Sequence, residues 1–172
     1  EMGYGVEKSL TEAYDYYTKA ARYNEVASYN LTRFLAVYRH DREALYSLGA
    51  KYKSGNGVPV DNMLAHYWMK PAADQGHSKA CRYVGMMYRH GVGVDRDNAL
   101  AFHYLKKAAD PLNDGKGENG DPASQYELGM MYERGLGFPQ DYTQARSWYE
   151  KASDHDTGAL MHLGKLYEEG KG

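Results

Sequence analysis

Residues 84–110 read VGMMYRHGVGVDRDNALAFHYLKKAAD, and the same phrase returns along the chain at fixed offsets. Here it is Val84-Gly85, Tyr88, Gly91-x-Gly93, Asp97, Ala101 and Tyr104. Upstream it is Leu48-Gly49, Tyr52, Gly55-x-Gly57, Asp61, Ala65 and Trp68. Downstream it is Leu128-Gly129, Tyr132, Gly135-x-Gly137, Asp141, Ala145 and Trp148, and Leu163-Gly164, Tyr167 and Gly170-x-Gly172 begin a further copy. The first glycines, Gly49, Gly85, Gly129 and Gly164, are spaced 36, 44 and 35 residues apart. A period in that range predicts stacked two-helix units in a solenoid.

One unit can be read from elementary rules. From about Glu43 to Lys53, Ala44, Leu48 and Tyr52 fall at four-residue steps and share one helix face. Gly49, lacking a side chain, lets a second helix cross closely at Ala65. Gly55 suits the left-handed residue that ends a helix, and Gly57 allows the chain to reverse. Asp61 is placed to cap the second helix, whose expected buried residues are Ala65, Trp68 and Ala72. In the later unit Asp141 precedes Gln144 by three, a capping-box pattern. Pro71, late in a second helix, predicts a stop or kink. Every recurring residue has a packing or turn role.

The stretches ALYSLGAKYKSGNGVPVDNMLAHYWMKPAADQGHSKA, VGMMYRHGVGVDRDNALAFHYLKKAAD and SQYELGMMYERGLGFPQDYTQARSWYEKA resemble the Sel-1-like repeat family, relatives of tetratricopeptide repeats. The resemblance implies an all-α fold, a right-handed α/α superhelical solenoid, acting as an adaptor in protein assemblies. Such proteins serve degradation complexes, signalling, and bacterial envelope or host-interaction systems. Cysteine-rich secreted members close each unit with a disulfide, whereas this chain has the single Cys81.

The expected organisation is one solenoid over residues 1–172. It comprises a partial repeat 1–23, an irregular helix 24–42, repeats 43–79, 80–122 and 123–157, and a partial repeat 158–172. Both ends read as Gly-x-Gly loops, which predicts a segment of a longer array. Residues 24–43 hold one helix with no Gly-x-Gly and no second helix, predicting a step in the array or fusion with the next helix. Residues 110–122, DPLNDGKGENGDP, read as a surface insertion. They match an EF-hand loop only in part, lacking a ligand at position three and the final Glu.

Lys and Arg number 21 against 23 Asp and Glu, so no basic excess favours nucleic acid. No apolar run is long enough to span a bilayer. The seven histidines form no strong metal motif, and no nucleophile–base pair or paired carboxylates stand at catalytic spacing. No cofactor is implied. Asn30-Leu31-Thr32 is a sequon, but it falls within an expected helix.

By analogy with tetratricopeptide geometry, the first helices line a concave face. A 3–4 spacing distinct from the packed face selects Tyr46, Lys53, Arg82, Met86, Arg89, His90, Tyr126, Met130, Glu133, Arg134, Met161 and Lys165. Arginine, lysine, methionine and tyrosine suit an extended or helical protein segment carrying acidic and apolar residues. The expected function is a non-catalytic scaffold that binds a partner protein there. The alternatives are an oligomerisation module working through its open ends, or a regulatory array attached to a further domain.

Overall fold

The computed structural model describes residues 9–110 and 120–172. The Gly3-x-Gly5 loop and the centre of the 110–122 insertion lie outside the described residues. Nine α-helices and no strand occur among those described: α1 (Leu10–Ala20), α2 (Glu25–Tyr38), α3 (Arg42–Ser54), α4 (Asn62–Asp74), α5 (Ser78–His90), α6 (Asn98–Ala109), α7 (Pro122–Arg134), α8 (Tyr142–Ala152) and α9 (Thr157–Glu168). The fold is an all-α helical repeat solenoid. Three hairpins, α3–α4, α5–α6 and α7–α8, are its regular units, and α9 packs on α8.

The Gly-x-Gly phrase closes each hairpin in the same way. Gly55, Gly91 and Gly135 end their helices with φ of 76°, 69° and 64°, a conformation in which a Cβ would be strained. The backbone N–H of Asp61, Asp97 and Asp141 then donates back to the carbonyl of Tyr52, Tyr88 and Tyr132 at 2.9, 2.9 and 3.0 Å. Each Asp carboxylate next accepts a backbone N–H from the first turn of the second helix, Leu64, Leu100 or Gln144, at 2.9 Å. Loop closure and helix start thus share one residue, which explains the fixed distance from tyrosine to aspartate.

The repeat glycine is a notch for the second helix. A Cβ on Gly49 would come within 2.5 Å of Met69 Cγ, and one on Gly85 within 2.8 Å of Leu105 Cγ. On Gly129 it would meet the Tyr149 ring at 2.5 Å. Met69, Leu105 and Tyr149 are fully buried, whereas Trp68 and Trp148 are only half-buried. The helix crosses at Ala65 as expected, its carbonyl 2.9 Å from a Cβ on Gly49, and the side chain that fills the notch stands one place after the aromatic position. Each such side chain removed from water contributes about 2 kcal/mol.

Neighbouring units are also joined by polar contacts. Lys107 Nζ, from α6, donates to the carbonyls of Ala73 and Asp74 at 2.7 and 2.8 Å, closing the end of α4. The Tyr104 hydroxyl donates to Asp74 Oδ1 at 2.7 Å. Burial pushes that phenol up to about 12, helped by the hydrogen bond to Asp74.

The sequence left alternatives open at Pro71 and between α2 and α3. α4 continues through Pro71 to Asp74 without stopping. Pro71 and Tyr67 are both on the exposed side, so the hydrogen bond that proline cannot make is left to solvent. Nor do α2 and α3 fuse. The chain breaks at Arg39–Asp41, where His40 takes a positive φ of 49°, and Asp41 caps α3.

α2 takes the place a preceding second helix would hold. Tyr29, Leu35 and Ala36 pack into the α3–α4 core, and the Tyr29 and Tyr52 hydroxyls lie 3.3 Å apart. Its fit is looser. In later units the second loop glycine abuts the preceding second helix, as Gly137 does at Asn98 and Gly172 at Tyr142. At Gly57 nothing lies within 4 Å of a Cβ, and a cavity of about 250 Å³ opens between Val26, Tyr29 and Val58.

Candidate functional site

The first helices α3, α5, α7 and α9 carry all twelve residues expected on the binding face. The structure divides them into engaged and open positions. Four residues after each repeat glycine stand Lys53, Arg89 and Glu133. Two residues before the next repeat glycine stand Tyr83, Glu127 and His162. These positions meet pairwise between consecutive units, forming a ladder of three rungs.

On the first rung, Lys53 Nζ lies 4.3 Å from the Tyr83 ring centroid. On the second, Arg89 Nη1 and Glu127 Oε2 form a buried ion pair, with side chains 5% and 12% exposed. Burial lowers the Arg89 value, and Arg134 adds to the effect. On the third, Glu133 Oε2 accepts from the Tyr149 hydroxyl at 2.5 Å and meets His162 Nδ1 at 2.8 Å. Burial, with that hydrogen bond to Glu133, raises the Tyr149 phenol well above its ordinary range.

Arg89 and Glu133 are thus not open groove positions, contrary to expectation. Their charges are taken up by the following helix, because neither could be buried without a partner. Arg82 is also engaged. Its Nε lies 3.6 Å from Asp121 Oδ2, and its guanidinium lies 4.9 Å from the Tyr83 ring centroid. Asp121 is structural in a second sense, since it caps α7 by accepting from the backbone N–H and hydroxyl of Ser124 at 2.8 and 2.7 Å.

Tyr46 is half-buried in an aromatic row, stacked on His77 at 4.4 Å and on Tyr83 at 6.3 Å. Burial raises its phenol, with Tyr83 adding to the shift. His77 caps α5: its Nδ1 accepts the Ala80 backbone N–H at 3.1 Å. Nε2 therefore carries the proton and donates to Glu43 Oε2 at 3.2 Å. Met86 and Met130 are half-buried against the cores beneath them. Tyr126 packs edge-on to His162 at 5.7 Å.

His90, Arg134, Met161 and Lys165 are exposed, as is the Lys53 side chain. Burial lowers His90 below its ordinary value, with Arg89 and Arg96 acting in the same direction, which favours its neutral form. Lys165 Nζ lies 3.9 Å from Glu169 Oε1. Sequence reasoning missed Tyr83, Glu127, His162 and His77. The first three had a signal: residues at the two ladder offsets are complementary in successive units, most plainly Arg89 with Glu127.

A model described as Sel1 repeat matches residues 1–22, 42–77, 78–110 and 122–156. This chain belongs to the Sel1 repeat family. Sel1 repeat proteins generally mediate protein–protein interaction and are generally non-catalytic scaffolds. The chain is similar to c5321, a protective antigen present in uropathogenic Escherichia coli strains and displaying an SLR fold, at 31% identity and a TM-score of 0.76. That match covers 95% of this chain and 34% of c5321. A Sel1 repeat protein from Oxalobacter formigenes is similar at 26% identity and a TM-score of 0.70, over 94% of this chain and 62% of its own. The chain thus spans about a third of the first relative's length. No curated protein matches it.

No described helix is long and apolar enough to cross a membrane. Among the described residues no group of three or more His, Cys, Asp or Glu side chains could hold a metal.

Proposed function

We propose that this Sel1 array is a non-catalytic scaffold that holds a segment of a partner protein along the face of its first helices. The observation behind this reading is the contrast along that face. The largely buried rungs of Arg89 and Glu133 fix the helices relative to one another, while His90, Arg134, Met161 and Lys165 project beside them. A surface fixed in advance loses little freedom on binding, so more of the contact energy appears as affinity. Its open cations and methionine suit a segment that carries acidic and apolar residues.

The test uses the chain as bait beside a His90→Glu/Arg134→Glu variant, with captured proteins identified by mass spectrometry. Both side chains are exposed, so the variant is expected to melt like the parent. A partner kept by the parent and lost by the folded variant supports the reading. Equal retention by both sinks it.

A further inference from the structure

Among the described residues, α1 is a second helix without its first, and α9 is a first helix without its second. Ser9 caps α1 by accepting the Glu12 backbone N–H at 3.3 Å. Ala13, Tyr16 and Tyr17 follow that cap at the offsets at which Ala145, Trp148 and Tyr149 follow Asp141. Against α2, α1 already packs in that register. The Tyr17 and Phe34 rings lie 5.9 Å apart, as Leu105 and Met131 share a core later in the array. The side that would meet a first helix is open: Ala13 and Tyr17 are only half-buried, whereas Ala65, Ala101, Ala145, Met69, Leu105 and Tyr149 are fully buried.

α9 shows the converse. A Cβ on Gly164 would meet nothing within 4 Å, so its notch is unfilled. Leu160 is 53% exposed, whereas Leu45 and Cys81 at the same offset are buried. Leu163 is half-buried where Leu48, Val84 and Leu128 are buried.

The two open sides match in chemistry as well as in register. Tyr149 fills the notch of Gly129 and donates its hydroxyl to Glu133, four residues after that glycine. Glu168 stands four residues after Gly164, and Tyr17 holds the notch-filling offset of α1. In the two units where Lys53 or Arg89 stands at the Glu133 offset, the notch is filled by Met69 or Leu105, which have no hydroxyl. A second contact repeats in the same way. The Tyr104 hydroxyl donates to Asp74, thirteen residues after the cap Asp61. Tyr16 holds the Tyr104 offset and is 71% exposed, and Asp154 stands thirteen residues after the cap Asp141.

We propose that a second copy of this chain seats its α1 in the notch of α9, completing a two-helix unit across the interface. The second copy's Tyr17 fills the Gly164 notch and donates to Glu168, and its Tyr16 reaches Asp154. The contact is head-to-tail, so each added copy presents a fresh α9 and the assembly continues. This goes beyond the scaffold reading and uses a different surface from the one where His90 and Arg134 project.

The test is sedimentation velocity of the 172-residue chain from about 5 µM to about 500 µM. The mass is expected to rise with concentration past that of a dimer. Gly164→Leu fills a notch that no atom of its own chain occupies, so this variant should stay folded and monomeric. Tyr17→Phe and Glu168→Gln should each weaken association about tenfold, and the double variant little further. Gly164→Leu retains a usable α1 and Ala13→Arg a usable α9. Mixed, they should form a one-to-one dimer that neither forms alone. A parent chain that stays monomeric, or whose growth stops at a dimer, would overturn the proposal. So would a Gly164→Leu chain that associates like the parent. None of these outcomes bears on the bait experiment, so the two readings stand or fall separately.

Discussion

Arg89 of α5 and Glu127 of α7 form an ion pair that is buried between two repeats rather than displayed on their surface. The pair occupies the middle rung of a ladder whose neighbours use different chemistry, lysine over tyrosine on one side and carboxylate with histidine on the other. The first helices are therefore joined directly to one another, in addition to their packing on the second helices.

Removing one member of that pair leaves the other charged and dry. Arg89→Ala is expected to destabilise the chain by about 3 kcal/mol. Arg89→Met/Glu127→Leu, which removes both charges at similar volume, should restore most of that loss. Urea unfolding of the parent, single and double variants measures both. A single variant as stable as the parent would contradict the burial of the pair.

The repeat glycines should respond in opposite directions according to what faces them. Gly129→Ala drives a methyl into the Tyr149 ring and is expected to cost about 1–3 kcal/mol. Gly164 faces no atom within 4 Å in this chain, so Gly164→Ala should stabilise it by about 0.5–1 kcal/mol through helix propensity. Thermal unfolding of the two variants decides, and a matching sign for both would refute the notch.

Much of this architecture was legible from the sequence because turn chemistry is local. Gly55, Asp61 and their counterparts act within a few residues of themselves, so their spacing announces both helices and the loop. The crossing at Ala65 was legible, but Met69 was not among the expected buried residues, since Trp68 and Met69 are both apolar and only the crossing geometry selects Met69. The face was harder to read. Arg89 looks like an open cation in its own helix, and its burial depends on Glu127, 38 residues later. Pairing across units requires comparing offsets between repeats rather than reading one helix at a time.

Acid should weaken the fold through His66. Burial lowers its imidazole below the ordinary 6.5, Lys70 adds to this and Asp74 opposes it. Its Nε2 is buried with no hydrogen-bond partner among the described residues. The unfolded chain therefore takes the proton first. The stability is fully present above 6.5 and is lost as pH falls from there through the depressed folded value. His90, lowered mainly by burial, acts in the same direction. Melting at about pH 7.5 and about pH 5 should show a smaller acid loss for His66→Gln/His90→Gln than for the parent. An unchanged difference would exclude these two residues as the cause.

Cys81 should be silent in the folded chain. Burial pushes its thiol up to about 11 against the opposing effect of Lys107, and its Sγ donates to the Ala73 carbonyl at 3.3 Å. At about pH 8 only on the order of one thiol in a thousand is ionised, so alkylation should be slow until urea unfolds the chain. Rapid labelling under native conditions would show that the α4–α5 junction opens readily.

The unlike rungs bear on how such an array can change in length. Excising residues 122–156, one family-sized unit, would set Arg89 against His162 in place of Glu127. An imidazole would then stand in a site shaped for a carboxylate, with no acid to receive Arg89. Excising residues 78–121 would instead bring Lys53 to Glu127, a tolerable match of opposite charge. A change in the length of this array is therefore constrained at the seams, and an inserted unit has to carry chemistry that matches both of its neighbours.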